Sequence, residues 1–199
     1  MTADTGIDLV LASTSRYRRE LLSRLRVPFR CIAPEVDETR AARETPSAMA
    51  MRLAEAKARA VAAQCAGAVV IGSDQVAELD GRALGKPGSA AATIAQLRDS
   101  SGRTLSFHTA VCVIDGRRAV AETAHALDTT HVVFRVLAGD EIARYVDAEQ
   151  PYDCAGGFKA EALGITLFER IDSRDPTALI GLPLIALARL LRTAGIALP

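Results

Sequence analysis

Residues 69–75, VVIGSDQ, decide how the chain is read. Val69, Val70 and Ile71 form a β-branched run too short for a helix and bounded by Gly67 and Gly72, so it reads as a buried strand. Asp74 then falls just past that strand's carboxyl end. In open α/β sheets this edge is where ligands bind, because the strands stop there while the loops remain free to present side chains. A plain turn role for Ser73 or Asp74 is the competing reading.

Outward from this stretch, the 199 residues are enough to bury a substantial core, as one domain over 1–199 or as two closely joined lobes. The formal net charge is zero and no long run of one charge occurs, which argues against a nucleic-acid coat or a polybasic membrane anchor. Cys31, Cys65, Cys112 and Cys154 are irregularly spaced and form no CxxC pair, so reduced, mostly buried thiols are expected rather than a zinc site or a disulfide framework. No basic segment with a long apolar run opens the sequence, and no apolar stretch reaches membrane-spanning length. A soluble cytoplasmic protein is the expectation.

Upstream, residues 7–12 (IDLVLA) read as a first strand, and Ser15 can cap a helix that begins near Arg16 with Leu21, Leu22 and Leu25 on its apolar face. Arg16, Arg18 and Arg19 crowd the positive end of that helix. Such a helix start, with free N–H groups, hydroxyls and arginines, suits a phosphate; solvated arginines are the other reading. Residues 27–33 resemble another strand, followed by Glu35, Asp37 and Glu38. Three carboxylates in four residues can hold a divalent cation or form a solvated acidic turn. Thr45-Pro46 starts a long helix to about Cys65. Lys57 lies on its apolar stripe between Leu53 and Val61, either snorkelling to solvent or reaching a phosphate at the sheet's end.

Downstream, residues 76–79 and the turn Asp80-Gly81 read as a hairpin leading to Gly85, Lys86 and Pro87. This is not a P-loop: three residues rather than four separate Gly81 from Gly85, and Pro87 stands where the metal-binding hydroxyl belongs. A helix over 89–98, strands over 104–114 and 118–135, and a helix over 141–147 follow. His108, His125 and His131 have no metal-motif spacing and receive no role. In the loop 152–164, Gly156-Gly157 permits close backbone approach and Lys159 and Glu161 bring opposite charges. A strand over 165–171 and an apolar core helix from Gly181-Leu182-Pro183 to Gly195 complete the chain.

LASTSxxRRELL, APEVDE, AxAKA, IGSDQV, LGKP, CAGGFKAEALGITLFERI and GLPL, in this order over nearly the whole chain, resemble the Maf family of nucleoside triphosphate pyrophosphatases. That resemblance implies an elongated α/β fold of the Maf/ITPase-like type: a mixed twisted sheet with flanking helices and a cleft between two lobes, often in a homodimer. It implies hydrolysis of a nucleotide to its monophosphate and diphosphate with a divalent metal cation, Mg2+ or Mn2+. Asp74 matches the family's proton acceptor, and Ser13, Arg18, Glu38, Lys57 and Lys86 match the other polar cleft positions, Glu38 being the metal-ligand candidate that Glu35 or Asp37 can join.

Gln75 and Lys159-Ala160-Glu161 resemble the branch acting on 7-methylguanosine triphosphate; the branch acting on dTTP and UTP generally has threonine after the aspartate. Tyr17, Gln75 and Glu161 match the positions associated with substrate choice. An aromatic face and a carboxylate suit the positive charge of a methylated guanine. Arg16-Tyr17 replaces the usual Pro-Trp of that branch, and Gly157 replaces the more usual serine. A dTTP, UTP or other modified-nucleotide pyrophosphatase, and a nucleotide-binding regulator of cell division, are the alternatives that the same cleft would serve.

Overall fold

The computed structural model describes residues 6–118 and 120–199. Residues 1–5, and Ala119 within the span expected for a strand, lie outside the described residues. In order, the chain forms β1 (Leu9–Ala12), α1 (Arg16–Ser23), β2 (Arg30–Ile32), α2 (Pro46–Ala62), β3 (Val69–Leu79) and β4 (Arg82–Leu84). It continues with α3 (Ala90–Ser100), β5 (Thr104–Asp115), β6 (Glu122–Phe134), α4 (Gly139–Glu149), β7 (Phe168–Asp172) and α5 (Leu184–Thr193). Seven strands make one mixed sheet in the order β2-β1-β3-β5-β6-β7, with β4 paired to β3. β1 runs parallel to β2 and β3, and the remaining pairs are antiparallel.

The helix starts follow the expected chemistry. Ser15 Oγ accepts from Arg18 N, Thr45 Oγ1 from Ala48 N and Ser89 Oγ from Ala92 N, each satisfying an N–H that the helix itself leaves unpaired. Among the described residues, no helix is long and apolar enough to cross a membrane.

β3 departs from the expectation. It is an eleven-residue strand, so Gly72 and Asp74 lie inside it rather than beyond its end. The signal that suggested a boundary has another cause: a Cβ on Gly72 would lie 2.2 Å from the Ala54 carbonyl oxygen. Glycine there lets the small-residue face of α2, Ala54 and Ala58, seat directly on the strand. The expected 165–171 strand is also shorter, because a 3₁₀ turn (Leu163–Leu167) precedes β7. The thiols are free, but only Cys112 is fully buried; the other three are half-buried.

Strand alternation divides the core. On one face, Val10, Val70 and Cys112 meet Ala50, Ala54, Ala58 and Val61 of α2. On the other, two clusters are set apart along β3. Leu9, Leu11 and Ile71 pack with α1 and α5, whereas Ala77 and Leu79 pack with α3, α4 and an aromatic group. In that group Phe158 meets Phe107, Phe134 and Phe168 edge-to-face at 5.3, 5.5 and 4.8 Å between centroids, the geometry that aromatic quadrupoles favour. Ser73 and Gln75 fall between the two clusters.

Candidate active site

β3 loses β1 as a neighbour after Gly72 and gains β4 only at Ala77, while β5 lines its opposite edge throughout. Ser73, Asp74, Gln75 and Val76 are therefore left without a strand partner on one edge. A cavity of about 920 Å³ opens over this gap, bounded by the β1–α1 loop, α2, the β4–Lys86 segment, the 153–161 loop and the 179–181 turn. All nine site residues expected from the sequence line it. The cavity thus opens at the sheet edge where β1 stops and β3 runs on.

At one wall, α2 drops Lys57 beside Asp74, two residues beyond Gly72 on the same strand face. Lys57 and Asp74 are only 6% and 7% exposed, so neither is a solvated surface charge. Lys57 Nζ donates to Asp74 Oδ1 at 2.6 Å and pairs with Glu38 Oε1 at 2.6 Å. The lysine therefore turns inward instead of snorkelling. Its hydrogen bond holds the Glu38 carboxyl below the usual range, with the Lys57 charge, Lys86 and Arg18 adding to the effect against partial burial. Asp74 Oδ2 has no hydrogen-bond partner among the described residues.

The β1–α1 loop supplies the next wall. Ser13 Oγ accepts from Ser15 N at 3.1 Å, which leaves its hydroxyl hydrogen available to an anion. Arg18 Nε donates to the Gly181 carbonyl at 2.9 Å, directing the guanidinium into the cavity lining. Burial lowers the Arg18 pKa while Asp74 and Glu38 oppose the shift. Lys86 is exposed on the opposite rim. Arg16 stacks on the Tyr17 ring at 4.7 Å and donates to its hydroxyl at 2.8 Å, so it covers an aromatic face. Burial raises the Tyr17 hydroxyl.

Gln75 occupies the other face of β3. Its Nε2 lies 3.0 Å from Thr109 Oγ1, 2.9 Å from the Ala178 carbonyl and 3.0 Å from the Leu179 carbonyl. Ser73, buried beside it, donates to the carbonyls of Ala110 and Gly181. Glu161 is exposed at the rim and does not pair with Lys159, whose ammonium instead holds Glu149 at 3.0 Å. Cys154 also lines the cavity, with Sγ 4.0 Å from Tyr17 Oη, and burial pushes its thiol up to about 11.

Sequence reasoning did not find Cys154, Thr109 or the 178–181 carbonyls as parts of this site. The backbone acceptors leave no side-chain signature; the GLPL segment was their only marker, and it was read as a helix start. Glu35 and Asp37 do not line the cavity: both are exposed, and Asp37 caps Thr39 N instead. Among the described residues, no group of three acidic, histidine or cysteine side chains forms a ready cation cage.

A deep cleft on an α/β sheet thus gathers buried and rim cations and two carboxylates at one end and an aromatic ring and an amide at the other, an arrangement suited to an anionic ligand with a flat ring. The model of the Maf-like protein family matches residues 8–194, and the chain belongs to that family. A 7-methyl-GTP pyrophosphatase from Xanthomonas oryzae pv. oryzae is 61% identical over 191 residues, 96% of this chain and 98% of the relative. Another from Cupriavidus metallidurans is 55% identical over 195 residues, 98% of this chain and 97% of the relative. The Ham1 protein of Staphylococcus aureus shares the fold, with a TM-score of 0.54 over 94% of this chain and 99% of that one at 19% identity.

Proposed function

We propose that this chain is a nucleoside triphosphate pyrophosphatase that hydrolyses 7-methyl-GTP to 7-methyl-GMP and diphosphate. The observation that carries the reading is buried Lys57 held between Asp74 and Glu38 at one wall of a nucleotide-sized cavity. Relatives of this name at 55–61% identity over nearly full length support the substrate.

Asp74 acts as the proton acceptor. Lys57 fixes Oδ1, which leaves Oδ2 to take a proton from water. The water oxygen bonds to the α-phosphorus, the bond from that phosphorus to the bridging oxygen breaks, and the electron pair leaves with diphosphate. Charge grows on that leaving group, where Arg18, Lys57 and Lys86 stabilise it and the Ser13 hydroxyl donates. Glu38 and Asp74 are hard oxygen donors that share the Lys57 ammonium at 2.6 Å, and together they would hold Mg2+ or Mn2+ beside it. Such an ion would supply charge neutralisation. At the other wall, Tyr17, Gln75 and Glu161 receive the cationic base.

Product analysis in oxygen-labelled water tests the reaction. The expected products are 7-methyl-GMP carrying one solvent oxygen, and unlabelled diphosphate. Release of 7-methyl-GDP with orthophosphate, or label in the diphosphate, would sink the proposal.

A further inference from the structure

Thr109 is fully buried and does not line the cavity, yet it stands directly opposite Gln75 in the β3–β5 pairing. Its hydroxyl donates to the Ala178 carbonyl at 2.9 Å. With its hydrogen committed there, Thr109 Oγ1 is an acceptor toward the Gln75 amide at 3.0 Å. The carbonyls of Ala178 and Leu179, at 2.9 and 3.0 Å, can only accept. Three acceptors on one side of an amide leave a single orientation: nitrogen to the wall, oxygen away from it. Gln75 Oε1 has no hydrogen-bond partner among the described residues, and the side chain lines the cavity.

The carbonyl wall is itself held in place. Asp175, 3% exposed, accepts from Thr177 N, Thr177 Oγ1 and Ile185 N at 3.0, 2.6 and 2.7 Å. These bonds clamp both ends of the segment that presents the Ala178 and Leu179 oxygens. Flipping the Gln75 amide would set its oxygen against two fixed carbonyls, so its polarity is built in rather than chosen by the ligand.

We propose that Thr109 is a positioning residue for substrate choice: with the Ala178 and Leu179 carbonyls it locks Gln75 as a hydrogen-bond acceptor toward the base, selecting bases that offer a donor there. This rests on the nucleotide reading above and deepens it. Guanine offers two adjacent donors, its ring N1–H and its 2-amino group. A site built to accept a hydrogen bond discriminates against a base that lacks the donor, because the buried acceptor is then left unpaired.

The test compares kcat/KM for 7-methyl-GTP with 7-methyl-ITP, which lacks the 2-amino group, and with 1,7-dimethyl-GTP, which lacks the N1 hydrogen. Wild type should lose about tenfold with at least one analogue. In Gln75→Met that penalty should collapse toward unity. Thr109→Val should reduce it several-fold, through KM more than kcat, and Thr109→Ser should restore it. The inference is overturned by a penalty unchanged in Gln75→Met, or by a Thr109→Val chain with lowered Tm and unaltered discrimination. Absence of 7-methyl-GTP turnover in wild type would overturn the underlying reading and this inference together; turnover with a variant-independent penalty would overturn this inference alone.

Discussion

The two faces of β3 within the cleft are built on different principles. On one, Gly72 and Asp74 meet α2, and side chain answers side chain: glycine admits the helix, and Lys57 reaches the carboxylate. On the other, Ser73 and Gln75 meet a three-residue 3₁₀ turn (Ala178–Ile180) and its flank, where backbone carbonyls are the partners. Asp74 and Lys57 sit on two long regular elements packed together, whereas Ser73 and Gln75 sit against a short turn. Such a division allows a base pocket to change without disturbing the phosphate end.

Variants should divide along the same line. Asp74→Asn carries the largest expected effect, a loss of about 10³-fold in kcat for every nucleotide with binding largely spared. Turnover kinetics alongside calorimetric binding would check it, and a variant that failed to bind would make Asp74 a ligand-holding group instead. Lys57→Met should lower turnover about 10²-fold and cost about 3–5 kcal/mol in urea unfolding, because buried Asp74 loses its cation, while the mostly exposed Glu38 adds little. An unaltered unfolding midpoint would mean that the pair contributes nothing to the fold.

At the recognition end the effects are smaller. Burial pushes the Cys154 thiol up to about 11, above an ordinary 9.0, so the reactive thiolate is scarce at neutral pH. Iodoacetamide should label Cys154 roughly a hundredfold more slowly than a free thiol at neutral pH, faster as pH rises toward the thiol's pKa, and more slowly still with nucleotide bound. Peptide mass spectrometry reads this directly, and labelling indifferent to nucleotide would place the base elsewhere. Smallest is Glu161→Ala, which should cut the preference for methylated over unmethylated guanine by about threefold to fivefold, since the carboxylate is exposed and screened. The same ratio should shrink in wild type as salt is raised.

The sequence was readable to different depths on the two faces. Caps at Ser15 and Thr45 and the Asp80-Gly81 hairpin are local signals, and each formed where local chemistry put it. Lys57 was ambiguous because periodicity gives a helix face but not what that face packs against; the decisive fact was Gly72, first read as a strand boundary. The Gln75 wall was not readable, since its acceptors are backbone atoms about a hundred residues away and carry no side-chain identity. Of the three carboxylates in the acidic loop only Glu38 lines the cavity, where it pairs with Lys57, while Glu35 and Asp37 face solvent.

The most direct measurement is diphosphate release from 7-methyl-GTP, GTP, dTTP and UTP by the wild-type chain and by Asp74→Asn, each with magnesium, manganese or a chelator. Selective turnover of 7-methyl-GTP that depends on the metal and is lost in Asp74→Asn is the expected result. A preference for dTTP or UTP would contradict the assignment of the base pocket. Full turnover in Asp74→Asn would contradict the chemistry assigned to β3.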